Sequence, residues 1–104
     1  MTDVAIRCRG PADGTVTLAL TGEIDMANAE ELEEKMRSVV ASTTGDVRLD
    51  CSDLTFVDSS GLAVFSRMHD ELAGGERRLA IDHPRPQFAT VLEITGLADL
   101  LLRD

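Results

Sequence analysis

No tryptophan and no tyrosine occur among the 104 residues, and phenylalanine occurs only three times. Stacking platforms for single-stranded nucleic acid therefore have almost nothing to be built from. The core has to come from Val, Leu, Ile, Ala and Met. Basic charge is also scarce: 10 Lys and Arg stand against 19 Asp and Glu, a formal net charge of −9. Such a chain is repelled by phosphate backbones and anionic lipid over most orientations, so neither direct nucleic-acid contact nor membrane insertion is expected. The charge either keeps a small protein soluble or helps steer it to a basic face on a protein partner. Cys8 and Cys51 are too few and too far apart for a disulfide framework or a zinc knuckle. Each alternates with apolar residues (Val4, Ile6, Cys8; Val47, Leu49, Cys51), which predicts two buried thiols. No apolar run approaches the ~20 residues of a membrane span, and the N-terminus lacks the basic-then-apolar order of a signal peptide. A cytoplasmic location is expected.

What is present suits one domain over 1–104, near the commonest domain size. Alternation predicts strands over Val4–Cys8 and Thr15–Thr21, joined antiparallel through the turn cluster Gly10-Pro11-Ala12-Asp13-Gly14. Asp25 stands where a helix cap belongs, and Ala29, Leu32, Met36, Val39 and Val40 then recur as one apolar stripe. Acids early in that helix and Lys35 and Arg37 late follow the order its dipole favours. Asp46–Cys51 predicts a third strand. Leu54–Val57 then leads into a helix starting at Ser59 and Ser60, with Leu62, Phe65, Met68 or His69, and Leu72 inward and Gly74-Gly75 as its stop. A fourth strand over Arg77–Ile81 and a helix opened by Asp82-His83-Pro84, with Phe88, Val91, Leu92 and Thr95 inward, complete the series. Leu97–Leu102 is apolar but too short to assign. The order is that of an α/β sandwich with a mixed sheet, whose functional loops sit at strand C-terminal ends. The loops around Thr21–Asp25 and Cys51–Ser60 are thus candidates for one surface.

Enzyme chemistry finds little support. The nucleophile-elbow pattern needs glycines two residues either side of the serine, and Val57 and Asp58 stand two before Ser59 and Ser60. His69 lies about 15 Å along the same helix at ~1.5 Å per residue, and His83 sits on a loop with no evident tie to the serines. Both histidines read as partly exposed polar residues. Asp50, Asp53 and Asp58 match no calcium-loop spacing, and Gly74-Gly75 follows a helix where a phosphate-cradling loop would precede one. No metal or cofactor is expected. The serine pair remains. At a helix N-terminus unpaired N–H groups and the dipole welcome a phosphate, which would add about −1.5 to −2 charges, while Asp58 would push it outward. Little change in fold and a large change in local potential would follow. A plain serine cap is the competing reading.

Three segments taken together, Leu20-Thr21-Gly22-Glu23-Ile24-Asp25, Asp53 to Leu62 with its Asp-Ser-Ser-Gly-Leu end, and Ile94-Thr95-Gly96-Leu97, resemble the STAS domain family. The resemblance covers nearly the whole chain in order and is strongest to bacterial anti-sigma factor antagonists. It implies a STAS-type sandwich, a mixed four- to five-stranded sheet with about three helices packed on it. It also implies partner switching without catalysis: the unmodified antagonist binds a serine kinase of the histidine-kinase-like ATPase fold and frees a sigma factor. The kinase then phosphorylates the serine after the aspartate, and a PP2C-type phosphatase resets it. Carried onto this chain, the phosphoacceptor is Ser59, and the partner-binding residues are Asp25, Asp58, Ser59, Ser60, Gly61 and Leu62. The alternative within the family is a non-phosphorylated structural subunit of an ABC lipid transporter or a stressosome-like sensory assembly, with Ser59 only a cap.

Overall fold

A computed structural model describes residues 3–102. Four strands, β1 (Val4–Ala12), β2 (Thr15–Ile24), β3 (Val47–Val57) and β4 (Leu79–Asp82), form one sheet in the order β1-β2-β3-β4. β1 runs antiparallel to β2, while β2, β3 and β4 are parallel. Helices α1 (Ala29–Ser42) and α2 (Ser59–Ala73) connect the parallel strands, and α3 (Pro86–Thr95) and the one-turn α4 (Ala98–Leu101) follow β4. Leu102 then adds an isolated parallel bridge to Ile81. This is the mixed-sheet α/β architecture expected, with one additional short helix where Leu97–Leu102 could not be assigned.

Alternation along the strands sorts the two faces of the sheet. Val16, Leu18 and Leu20 of β2 and Val47, Leu49 and Cys51 of β3 are buried beneath all four helices in one aliphatic core. Phe65 and Phe88 are the buried aromatics, their ring centroids 6.0 Å apart and tilted by 48°. The residues between them point to an uncovered, polar face. There Arg48 grips Asp82 through Nε and Nη2 at 2.6 and 2.8 Å, and Arg9 reaches Asp50 at 3.1 Å. Parallel sheets are usually covered on both faces, and the arginine–aspartate pairs replace that cover here.

Several boundaries differ from the periodicity reading, each for a local reason. β1 continues to Ala12 past a register irregularity, because Asp13 and Gly14, both at positive φ (53° and 80°), make a two-residue hairpin. β3 is one strand from Val47 to Val57, its apolar parity broken by shifts in its pairing with β2. β4 begins at Leu79, because the Arg77 amide is spent on the Leu72 carbonyl at 2.8 Å. Its guanidinium meanwhile donates to the carbonyls of Val40 and Gly45 and to Thr43 Oγ1, closing the C-terminus of α1. α3 begins at Pro86, and Thr95 is exposed instead of inward. Cys51 is buried as expected, and burial pushes its thiol up to about 12. Cys8 is exposed. It shares a parity with Val4 and Ile6 but lies on the edge strand, beyond the part of β1 that packs on the core.

Candidate functional site

Parallel pairing brings the C-terminal ends of β2 and β3 side by side, Ile24 opposite Val57. The Asp58 amide donates to the Ile24 carbonyl at 3.1 Å, which ties the chain leaving β3 to the chain leaving β2. The two loops of the sequence reading do meet, and each opens a helix.

The α2 mouth is built by Asp58. Its Oδ1 accepts from the amides of Ser60 at 2.9 Å and Gly61 at 3.3 Å, so the helix cap is this aspartate and neither serine. Ser60 Oγ also donates to it at 2.5 Å, and the Met26 amide reaches it from the other loop. These donors, the Ser60 hydroxyl foremost, hold the Asp58 carboxyl below the usual carboxylate range. The serines thereby part company. Ser60 is half-buried and committed to Asp58, whereas Ser59 is exposed in the first turn and its hydroxyl makes no hydrogen bond among the described residues.

Gly61 is buried because the helix start presses onto the strand ends. A Cβ at this position would lie 2.7 Å from Val57 Cγ1 and 2.8 Å from Ile24 Cγ2. Leu62 is half-buried and packs against the core.

The α1 mouth is built differently. Asp25 does not cap the helix: its Oδ1 accepts from the Ala27 amide at 2.9 Å, and its carbonyl accepts from the amides of Asn28 and Ala29. The cap position is Asn28, whose side chain turns back into the loop. Nδ2 donates to the Glu23 carbonyl at 2.9 Å and Oδ1 accepts from the Asp25 amide at 3.1 Å. Asn28 is only 7% exposed, the one buried polar residue among those described, and sequence reasoning missed it. An asparagine five residues after the strand's only glutamate was its sole visible signal. Met26, between these residues, is 80% exposed, and Phe56 on the neighbouring strand end is 50% exposed. An open groove of about 350 Å³ runs from Phe56 and Val57 to Arg85, Phe88 and Val91 of α3 and its approach.

The other sequence candidates lie elsewhere. Asp50 accepts from the amide and hydroxyl of Ser52 and from Arg9, on the uncovered face, which holds its carboxyl below the usual range. Among the described residues no group of three or more His, Cys, Asp and Glu side chains could hold a metal. His69 is half-buried on α2, with Nδ1 lacking a partner there, and His83 is exposed at a φ of 56°. No described helix is long and apolar enough to cross a membrane.

The family described as "Mlab, STAS domain" matches residues 10–103. The anti-sigma-B factor antagonist of Staphylococcus aureus is 30% identical over 80 residues, 77% of this chain and 74% of that protein. Among solved structures, the anti-sigma factor antagonist SpoIIAA in its unphosphorylated form superposes with a TM-score of 0.81 at 22% identity, over 96% of this chain and 89% of that one. SpoIIAA of Bacillus in its phosphorylated form gives 0.74 at 22% identity, over 96% and 92%. The fold is thus shared with these proteins.

Proposed function

The chain belongs to the STAS domain family and to its anti-sigma factor antagonists, and we propose that it works there by partner switching at Ser59. In this reading the unphosphorylated form binds an anti-sigma serine kinase of the histidine-kinase-like ATPase fold and so frees a sigma factor. Phosphorylation of Ser59 ends the binding, and a PP2C-type phosphatase restores it. The protein is the substrate of those enzymes and performs no catalysis, in the cytoplasm.

The observation that carries the reading is the difference between the two serines. The Ser59 hydroxyl is exposed and unengaged among the described residues, and Ser60 is fastened to Asp58. A phosphate on Ser59 would need no hydrogen bond broken. Asp58 already fills the cap, so the new charge would be turned outward, into whatever covers this surface. Met26 and Phe56 give that surface apolar contact area around the switch, and the half-buried Asp25 adds a carboxylate. Placing an unpaired charge within such an interface costs several kcal/mol, about 2–5. The competing reading, a structural subunit of a transporter or sensory assembly, takes Ser59 as a helix cap, and that task belongs to Asp58.

Wild type and Ser59→Asp serve as baits in lysate of the source organism, with captured proteins identified by mass spectrometry. Capture of an ATPase-fold kinase by wild type, reduced at least tenfold with the aspartate, is the expected result. Ser59→Ala should stay bound to that kinase in the presence of ATP. Equal capture by wild type and a normally folded Ser59→Asp would overturn the switch.

A further inference from the structure

Among the described residues β1 has a single sheet neighbour, β2, and its other edge is open. The Glu23 amide donates to the Asp3 carbonyl at 2.9 Å, which fixes which peptide groups face inward. In an antiparallel ladder the hydrogen-bonded pairs alternate, so with Val4 opposite Gly22 the inward set is Asp3, Ala5, Arg7 and Arg9. Val4, Ile6 and Cys8 present their N–H and C=O groups outward. Their side chains are half-buried at Val4 and Ile6 and exposed at Cys8, all on one parity of the strand. Proline, one usual protection of an edge, is missing from residues 4–8, where Arg7 is the one charged side chain.

We propose that this edge is a self-association surface, on which a second copy of the chain adds its own β1 antiparallel with Ile6 opposite Ile6. The charge pattern argues for a copy of this chain as the occupant. The register sets Asp3 of each copy opposite Arg9 of the other, and Val4 opposite Cys8. Arg9 already leans on Asp50 with its side chain 56% exposed, so it can take a second carboxylate on its free edge. Sliding the pair so that Ile6 faces Cys8 would instead oppose Arg7 to Arg7. The pairing thus places two Asp3–Arg9 pairs of opposite charge across the seam between two copies whose net charge is −9 each. The outward groups of Val4, Ile6 and Cys8 would form about six interchain hydrogen bonds in a continuous sheet. A single strand pair lies below the ~1,200 Å² of a standard interface, so the dimer is concentration-dependent.

The register makes the test specific. Sedimentation of wild type from micromolar to near-millimolar concentration should show a monomer passing to a dimer. Under mild oxidation Val4→Cys should give a covalent dimer in which the introduced cysteine is bonded to Cys8 of the second copy, located by mass spectrometry. Wild type should give none, since the two Cys8 residues lie apart in this register and Cys51 is buried. Ile6→Pro removes an outward N–H and trims a half-buried side chain, leaves every β2 ladder bond, and should shift the dimer to at least tenfold higher concentration. Should that variant unfold by circular dichroism, charge exchange decides: Arg9→Asp should weaken the dimer about tenfold and added Asp3→Arg should restore it. A monomer at every concentration, absence of the Val4→Cys bond to Cys8, or failure of the exchange to restore the dimer would overturn the proposal.

Discussion

Two helices begin at adjacent strand ends in this molecule, and they begin in opposite ways. α2 starts the moment β3 stops, capped by Asp58 and pressed against the sheet through Gly61. α1 starts after a four-residue turn, with no side-chain cap bond and an asparagine folded back to hold the loop. One mouth spends its polar side chain on the helix and leaves the hydroxyl beside it free. The other spends its polar side chain on the loop and leaves a methionine exposed. Combining them gives one surface that carries an unengaged hydroxyl, with the Met26 amide on the Asp58 carboxylate as the seam.

The sharpest way to break the contrast is at the close approach. Gly61→Val drives a branched side chain into Val57 and Ile24, and should cost about 3 kcal/mol in chemical denaturation, the upper range for overpacking. Asn28→Ala attacks the other mouth. It leaves the Glu23 carbonyl and the Asp25 amide short of partners and should cost about 2 kcal/mol. Its amide exchange should rise in residues 23–28 and stay unchanged at the start of α2.

Glu33 joins the two helices farther along. It accepts from Arg67 and Arg37, and Arg37 also grips Glu71 on α2 at 2.6 and 2.7 Å. The arginines, Arg67 foremost, pull the Glu33 carboxyl down from 4.5 to about 2. A folded-state value below the unfolded one gives stability that is fully present above about pH 4.5 and is lost as the pH falls toward 2. Glu33→Gln should therefore melt earlier than wild type at pH 7, by about 1 kcal/mol given half-exposed arginines, with the gap closing near pH 2. A gap that persists at pH 2 would mean packing and not charge. The smallest effect is expected at the serine itself. Ser59→Ala breaks no hydrogen bond and should change stability by less than about 0.5 kcal/mol. A loss of 1 kcal/mol or more would make Ser59 a cap after all and erase the difference between the two mouths.

Much of this was legible in the chain. Element order, the parallel neighbours β2 and β3, the aliphatic core and the α1 stripe follow from periodicity, because period and burial are local properties of strands and helices. The Asp-Ser-Ser-Gly-Leu segment marked the candidate site, through residue types at a helix start and the family they resemble. The misreadings fall where a side chain leaves its own element. Arg77 reads as the start of a strand, yet its guanidinium closes the end of α1. Cys8 reads as core, yet it sits on an edge the helices do not cover. Asp25 reads as a cap, yet Asn28 takes that position because its amide can serve a carbonyl and an N–H at once.

The sequence by itself determined the fold class, the family and the pair of serines. It did so because hydrophobic period, turn chemistry and a short motif are written in residue order. Only the tertiary structure decided which serine is free. Ser59 and Ser60 are chemically identical neighbours, and they differ because the helix turns one toward Asp58 and the other toward solvent. That distinction rests on a bond between Ser60 and Asp58, two residues apart, which forms only once the chain has turned into the helix, while the pairing of Ile24 with Val57 sets where that helix mouth sits.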